Sequence, residues 1–112
     1  MTKQRIPKYI RREPWKRITS VIRDYKQLKL EYEELQRDPA SHSTVRTKEL
    51  KRKITAFRVV FEKADGETQE LIQQKFWNQK TYRDILVPMS ESTMKRYIRR
   101  FVLEVGKNLG EI

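Results

Sequence analysis

Six apolar residues, Ile18, Val21, Tyr25, Leu28, Tyr32 and Leu35, recur at alternating steps of three and four. On an α-helix this spacing places them along one seam, with Ile22 beside it, whereas on a strand it scatters them over both faces. A seam of this length needs a second apolar surface. Leu50, Ile54, Phe57, Phe61 and Ala64 supply one at the same steps. Between the two stripes, Pro39 disfavours helical geometry at Asp38, and Ser41, Ser43 and Thr44 compete for backbone hydrogen bonds. The pattern predicts helices over 14–37 and 47–64, packed as an antiparallel hairpin. Glu31, Glu33 and Glu34 are then expected near Lys51, Arg52 and Lys53.

The Asp65-Gly66 pair breaks the second stripe. Leu71, Ile72 and Phe76 predict a third helix over 67–77 with Trp77 at its end, and Asn78-Gln79-Lys80 reads as a short connector. Thr81 is expected to cap a short helix over 81–86, with Asp84 answering it as in a capping box, and Pro88 ends that helix. Ser90 opens a last helix over 90–109, because Met94, Ile98, Phe101, Val105 and Leu109 share one narrow arc. Gly106 lowers helix propensity there, and Gly110 is the expected stop. The fold class is all-α, divided into a basic leader over 1–13, a helical hairpin over 14–64 and a C-terminal module over 65–112.

Apolar and charged residues each make up 37% of the chain, so a core forms only because the apolar positions are periodic. With 26 Lys and Arg against 15 Asp and Glu, the formal charge is +11, which attracts polyanions at long range. Residues 1 to 23 hold eight of the cations, Arg11 and Arg12 among them, against one acid, Glu13. Cysteine is absent and His42 is the only histidine, so no thiolate or zinc set can be assembled. No Gly-rich phosphate loop follows a strand pattern. We therefore expect no catalytic site, no metal and no cofactor. No apolar run approaches a membrane span, and MTKQRIPKYIRR lacks the apolar core of a secretory signal. A cytoplasmic protein with no membrane partner is expected.

The informative stretch runs from Thr81 to Arg100. Two short helices joined by a tight turn, the second opening on a serine cap, match what a helix-turn-helix needs to place a helix in the major groove of DNA. Opposite the apolar arc of the last helix lie Ser92, Arg96, Arg99 and Arg100, with Lys95 on one flank. Side chains near the start of such a helix reach base edges, and those farther along reach phosphates. Arg100, Lys80 and Arg83, with Arg11 and Arg12 of the leader, are expected at phosphates. Leu103 also points away from the arc, toward the N-terminal helices or a partner. Tyr25 and Tyr32 are unusual in a tight two-stranded seam, so a second copy of the chain is expected to cover part of it as a homodimer.

The order of elements, with Leu71-Ile72, Phe76-Trp77, Tyr82, Ile85 and the run Ser90-Glu91-Ser92-Thr93-Met94-Lys95-Arg96, resembles the small phage transcriptional activators of the RinA and ArpU type. Their C-terminal module is similar to region 4 of bacterial sigma factors. The connector Leu86-Val87-Pro88-Met89 is shorter than the family's and lacks the small alanine at its helix crossing. The resemblance implies that Ser92, Lys95, Arg96 and Arg99 read DNA bases, while Ile85, Met94, Ile98 and Phe101 form the motif's core. It also implies a regulator of phage or prophage genes in a bacterial host cell, with host RNA polymerase as a further partner. Two other readings stay open: a DNA-packaging or recombination accessory protein using the same motif, and a helical adaptor that binds only protein.

Overall fold

The computed structural model describes residues 11–37 and 44–112. The expected turn around Pro39, with His42, and most of the basic leader lie outside the described residues. Among the described residues there are four α-helices: α1 (Arg12–Arg37), α2 (Thr44–Lys63), α3 (Gly66–Ile72) and α4 (Glu91–Leu109). α3 runs directly into a π-helical turn, Gln73–Trp77, and a single 3-10 turn, Tyr82–Asp84, precedes α4. Among the described residues there is no strand. The all-helical class is therefore as expected.

α1 begins two residues before Pro14, with the Trp15 N–H donating to the Arg11 carbonyl. Pro14 thus falls in the first turn, where its missing N–H and fixed φ cost nothing. α3 starts at Asp65, whose carboxylate accepts the Thr68 N–H at 2.8 Å. α4 starts at Ser90, whose hydroxyl accepts the Thr93 N–H at 3.3 Å. It stops at Gly110, which sits in the left-handed region at φ 75°. There the Gly110 and Glu111 N–H groups bond back to Lys107 and Gly106.

One apolar cluster joins all four helices. Ile18 and Ile22 of α1, Phe57 of α2, Leu71 and Ile72 of α3, and Ile98, Val102 and Val105 of α4 have no accessible surface. Phe57 is its hub: its ring centroid lies 4.3 Å from Tyr25, 5.2 Å from Phe61, 6.0 Å from Trp77 and 5.7 Å from Phe101. Tyr25 therefore packs within its own chain, and Leu103 packs half-buried against the same core. Gly106 has a packing role that propensity alone does not show. A Cβ there would come within 2.6 Å of Ile18 Cδ1, so the missing side chain lets α1 and α4 approach.

The Tyr25–Phe57 contact also sets which charges meet. Farther along the same seam Glu31 reaches Arg46, Oε2 to Nη2 at 2.8 Å, placing the end of α1 against the start of α2. The expected approach of Glu31 to Lys51, Arg52 and Lys53 is therefore off in register. Arg52 and Lys53 pair instead with Glu49 of their own helix. Arg52 also donates to the Leu109 carbonyl at 2.7 Å, and Asn108 to the Ala56 carbonyl at 3.2 Å, tying the end of α4 to α2. Arg17 closes the other side with a two-pronged bond to Glu111.

Replacing Phe57 with Ala should cost about 3–5 kcal/mol, a large share of the roughly 5–15 kcal/mol typical of a domain. Thermal unfolding followed by circular dichroism should show a fall of at least about 10 °C. Acid should act through three carboxylates. The Thr68 N–H holds Asp65 below its usual pKa, and hydrogen bonds from Arg17 and Arg52 do the same for Glu111 and Glu49. Because all three folded-state values are depressed, their contribution is complete above the unfolded value of about 4 and is lost as pH falls through the folded values. The urea midpoint should stay level from these groups between about pH 7 and 5 and drop below about 4. Asp65→Asn, which keeps an acceptor without a titrating charge, should flatten that drop.

Candidate nucleic-acid interface

The connector between α3 and α4 decides how α4 is presented. In the π turn the Asn78 N–H donates to Gln73, and the Lys80 N–H reaches Gln74. The wider turn lets Phe76 and Trp77 both pack on the core. It also leaves Gln74 buried and facing the connector. Trp77 anchors the turn: its Nε1 donates to the Ile22 carbonyl at 2.9 Å, and Lys26 Nζ sits 4.5 Å from its ring centre. Gln79 reverses the chain in the left-handed region at φ 52°, a conformation that costs a non-glycine residue about 1 kcal/mol.

The helix expected over 81–86 is reduced to the 3-10 turn at Tyr82–Asp84, and Ile85 is already extended. Gln74 is the reason. Its Oε1 accepts the Leu86 N–H at 2.9 Å and its Nε2 donates to the Leu86 carbonyl at 3.3 Å, so Leu86 has no need of helical partners. The expected cap at Thr81 is also different. Its hydroxyl donates to Asp84 Oδ2 at 3.0 Å and makes no backbone cap. Tyr82 and Ile85 are buried beneath α4, whereas Leu86 is 78% exposed.

α4 buries Met94, Ile98, Phe101, Val102, Val105 and Leu109. Helical geometry therefore turns Ser92, Arg96 and Arg100 outward, and all three are exposed. Arg96 and Arg100 flank Tyr97, with their guanidinium carbons 5.9 and 5.7 Å from its ring centre. Lys95 and Arg99 lie at the edge of this face and are half-buried. Lys80 does not reach outward, because its ammonium donates to Gln74 Oε1 at 3.3 Å. Arg83 is exposed on the 3-10 turn.

Arg11 and Arg12 are exposed at the start of α1. Arg17 binds Glu111 and Ile18 lies against Gly106, so the second turn of α1 sits near the last turn of α4. Ser92, Lys95, Arg96, Arg99 and Arg100 share one helix, whereas Arg11 and Arg12 belong to the start of another.

The cations differ in how they are compensated. On α1 and α2, Arg17, Arg23, Arg46, Arg52, Lys53 and Arg58 each face a carboxylate. On α4 the only ion pair among the described residues is Lys95–Glu91 at 3.9 Å, between partly exposed side chains. Arg96, Arg99 and Arg100 pair with no carboxylate among the described residues. No protein-family model matches this sequence, and no curated protein or solved structure matches it.

Gln74 and Lys75 were not legible as functional residues, since a Gln-Gln-Lys run on a helix reads as solvated surface. Lys75 Nζ lies 4.3 Å from the ring centre of Tyr82 and Lys95 Nζ 5.4 Å from the same ring. Burial, then the charge of Lys95, pulls the Lys75 ammonium below its usual pKa. Burial also pushes the Tyr82 hydroxyl up to about 12, with Glu91 adding to the shift and Arg99 opposing it. Replacing Gln74 with Leu should leave the Leu86 backbone groups unpaired, a loss of about 1–3 kcal/mol. Limited trypsin digestion should then cut after Arg83 faster in the variant than in the parent chain under native conditions.

Proposed function

We propose that this chain is a sequence-specific, double-stranded DNA-binding regulator of phage or prophage transcription, acting in the cytoplasm of a bacterial host. In this reading α1 and α2 form an antiparallel hairpin that supports a helix-turn-helix similar to sigma factor region 4. α4 is the recognition helix, and α3 with its π turn stands where the shortened first helix of the motif cannot. Host RNA polymerase is a partner by the resemblance alone, and the protein performs no catalysis of its own.

The observation that carries the reading is the row of uncompensated cations on the outward face of α4. An exposed cation gains little from a surface carboxylate, but a row of them facing a phosphate backbone releases condensed counterions. Ser92 and Arg96 lie at the start of the helix, where side chains meet base edges, and Arg100 lies one turn farther along Arg96's side, toward the backbone. The resemblance of residues from Leu71 to Arg96 to the phage activators is the sole support for the transcriptional part. No helix of the described residues is long and apolar enough to cross a membrane.

Sequencing the genomic DNA segments retained by the purified chain should recover a common site upstream of phage genes. A site beside a packaging initiation region would replace the regulator with the packaging reading, and no salt-dependent retention at all would leave the adaptor reading. On the recovered site, Arg96→Ala should weaken binding and reduce the preference over a scrambled duplex by about 1–3 kcal/mol, with little change in the thermal midpoint because no core volume is lost. An unchanged preference across a salt titration would remove Arg96 from base reading.

A further inference from the structure

Two lysines from two elements converge on one buried aromatic ring, and the charge of Arg99 is felt at the same ring. Lys75 comes from the π turn, and Lys95 and Arg99, one helical turn apart, come from α4. Lys75 Nζ and Lys95 Nζ both approach the ring centre of Tyr82, at 4.3 and 5.4 Å. The ring itself is only 4% exposed, so it acts as a fixed post. Arg99 Nε is buried without a hydrogen-bond partner, which is unusual for a donor on a charged group. Glu91, 3.9 Å from Lys95, is the one carboxylate paired with any of the three among the described residues. Like charges gathered around a low-dielectric ring repel one another, and a donor left unpaired there is costly. A single anion placed among the three charges would relieve their repulsion.

We propose that Lys75, Lys95 and Arg99 form a clamp for one backbone phosphate of duplex DNA, with Tyr82 as the residue that positions the two lysines. The proposal rests on the DNA-binding reading and deepens it. Lys95 and Arg99 move from base edges to the backbone, and Lys75 joins them. The location fits. Lys95 and Arg99 border the face that carries Ser92 and Arg96, and Arg100 lies beyond Arg96 on the other side. A helix seated in a groove about 12 Å wide has a phosphate row along each flank, so one flank meets the clamp and the other meets Arg100. Burial and Lys95 depress the Lys75 ammonium, as expected of a site whose charge is compensated only when an anion arrives.

The test is anisotropy of a fluorescein-labelled, mixed-sequence duplex of about 20 base pairs, titrated with the full chain between about 50 and 200 mM KCl. Lys75→Met with Lys95→Met should weaken binding severalfold and lower the slope of log affinity against log salt by about one. Lys75→Arg should keep the slope. So should Lys51→Met, which alters the separate groove lined by Lys48, Lys51 and Asn108 at the far end of α4. If the double variant does not hold its helical spectrum, Lys75→Met alone against Lys75→Arg decides the matter. Inorganic phosphate at matched ionic strength should displace the duplex no better than chloride; selective displacement would assign the cluster to a small free anion and overturn the duplex assignment. A folded lysine variant with the parent slope and affinity would overturn the clamp and leave the DNA reading standing. If the parent chain binds no duplex in a salt-dependent way, the DNA reading itself falls and the clamp with it.

Discussion

Everything on the C-terminal side of this fold depends on where Trp77 is held. Its ring lies 5.7 Å from Phe61, 6.0 Å from Phe57 and 6.2 Å from Tyr25, and its indole N–H binds the Ile22 carbonyl. Aromatic contacts of this kind each add about 0.5–1.5 kcal/mol beyond burial, and the hydrogen bond fixes direction as well. With Trp77 anchored on both α1 and α2, the preceding helix must accommodate an extra residue, which the π turn does. That turn aims Gln74 at Leu86 and Lys75 at Tyr82. The connector is thereby held without a helix of its own, and α4 is laid across the core with one face free.

The long elements were legible because their apolar spacing leaves one solution. The stripes through Ile18 to Leu28 and Leu50 to Phe61, and the arc through Met94 to Leu109, each turn the residues that their periods select onto the core, Tyr25, Leu28 and Phe61 being half-buried there and the rest buried. Caps at Ser90 and the stop at Gly110 follow from local chemistry that sequence displays directly. The short elements were not legible in the same way. A four- to six-residue segment such as Thr81–Leu86 has too few backbone hydrogen bonds to offset nucleation, so one tertiary contact can redirect it. Gln74 makes that contact from several residues upstream, and nothing in the spacing of Gln73, Gln74 and Lys75 indicates which of them turns inward. The pairing of Glu31 with Arg46 was missed for a related reason: periodicity gives the faces of two helices, while the register comes from a single pair, here Tyr25 and Phe57.

The candidate site was legible in its outward face and not in its edges. Ser92, Arg96 and Arg100 follow from opposition to the apolar arc. Lys95 and Arg99 differ from them because the 3-10 turn beneath α4 brings Tyr82 against that side, and the same burial that immobilises them removes them from open solvent. The contrast in charge compensation follows from the same arrangement. α1 and α2 carry acids at helical spacing or across their seam, so six of their cations pair within the fold. On α4, Glu91 pairs with Lys95 and Glu104 makes no ion pair among the described residues, which leaves Arg96 and Arg100 on the exposed face uncompensated.

The proposed function rests on the free face of α4, and not the equally cationic α2 side, being the surface that meets DNA. Amide and arginine side-chain shifts of the isotope-labelled chain, followed by NMR while a duplex is added at low and then raised salt, test it most directly. The account predicts shifts concentrated at Lys75, Ser92, Lys95, Arg96, Arg99 and Arg100 that revert as salt rises. Shifts centred on Lys48, Lys51 and Asn108, with α4's outward face unchanged, would contradict it.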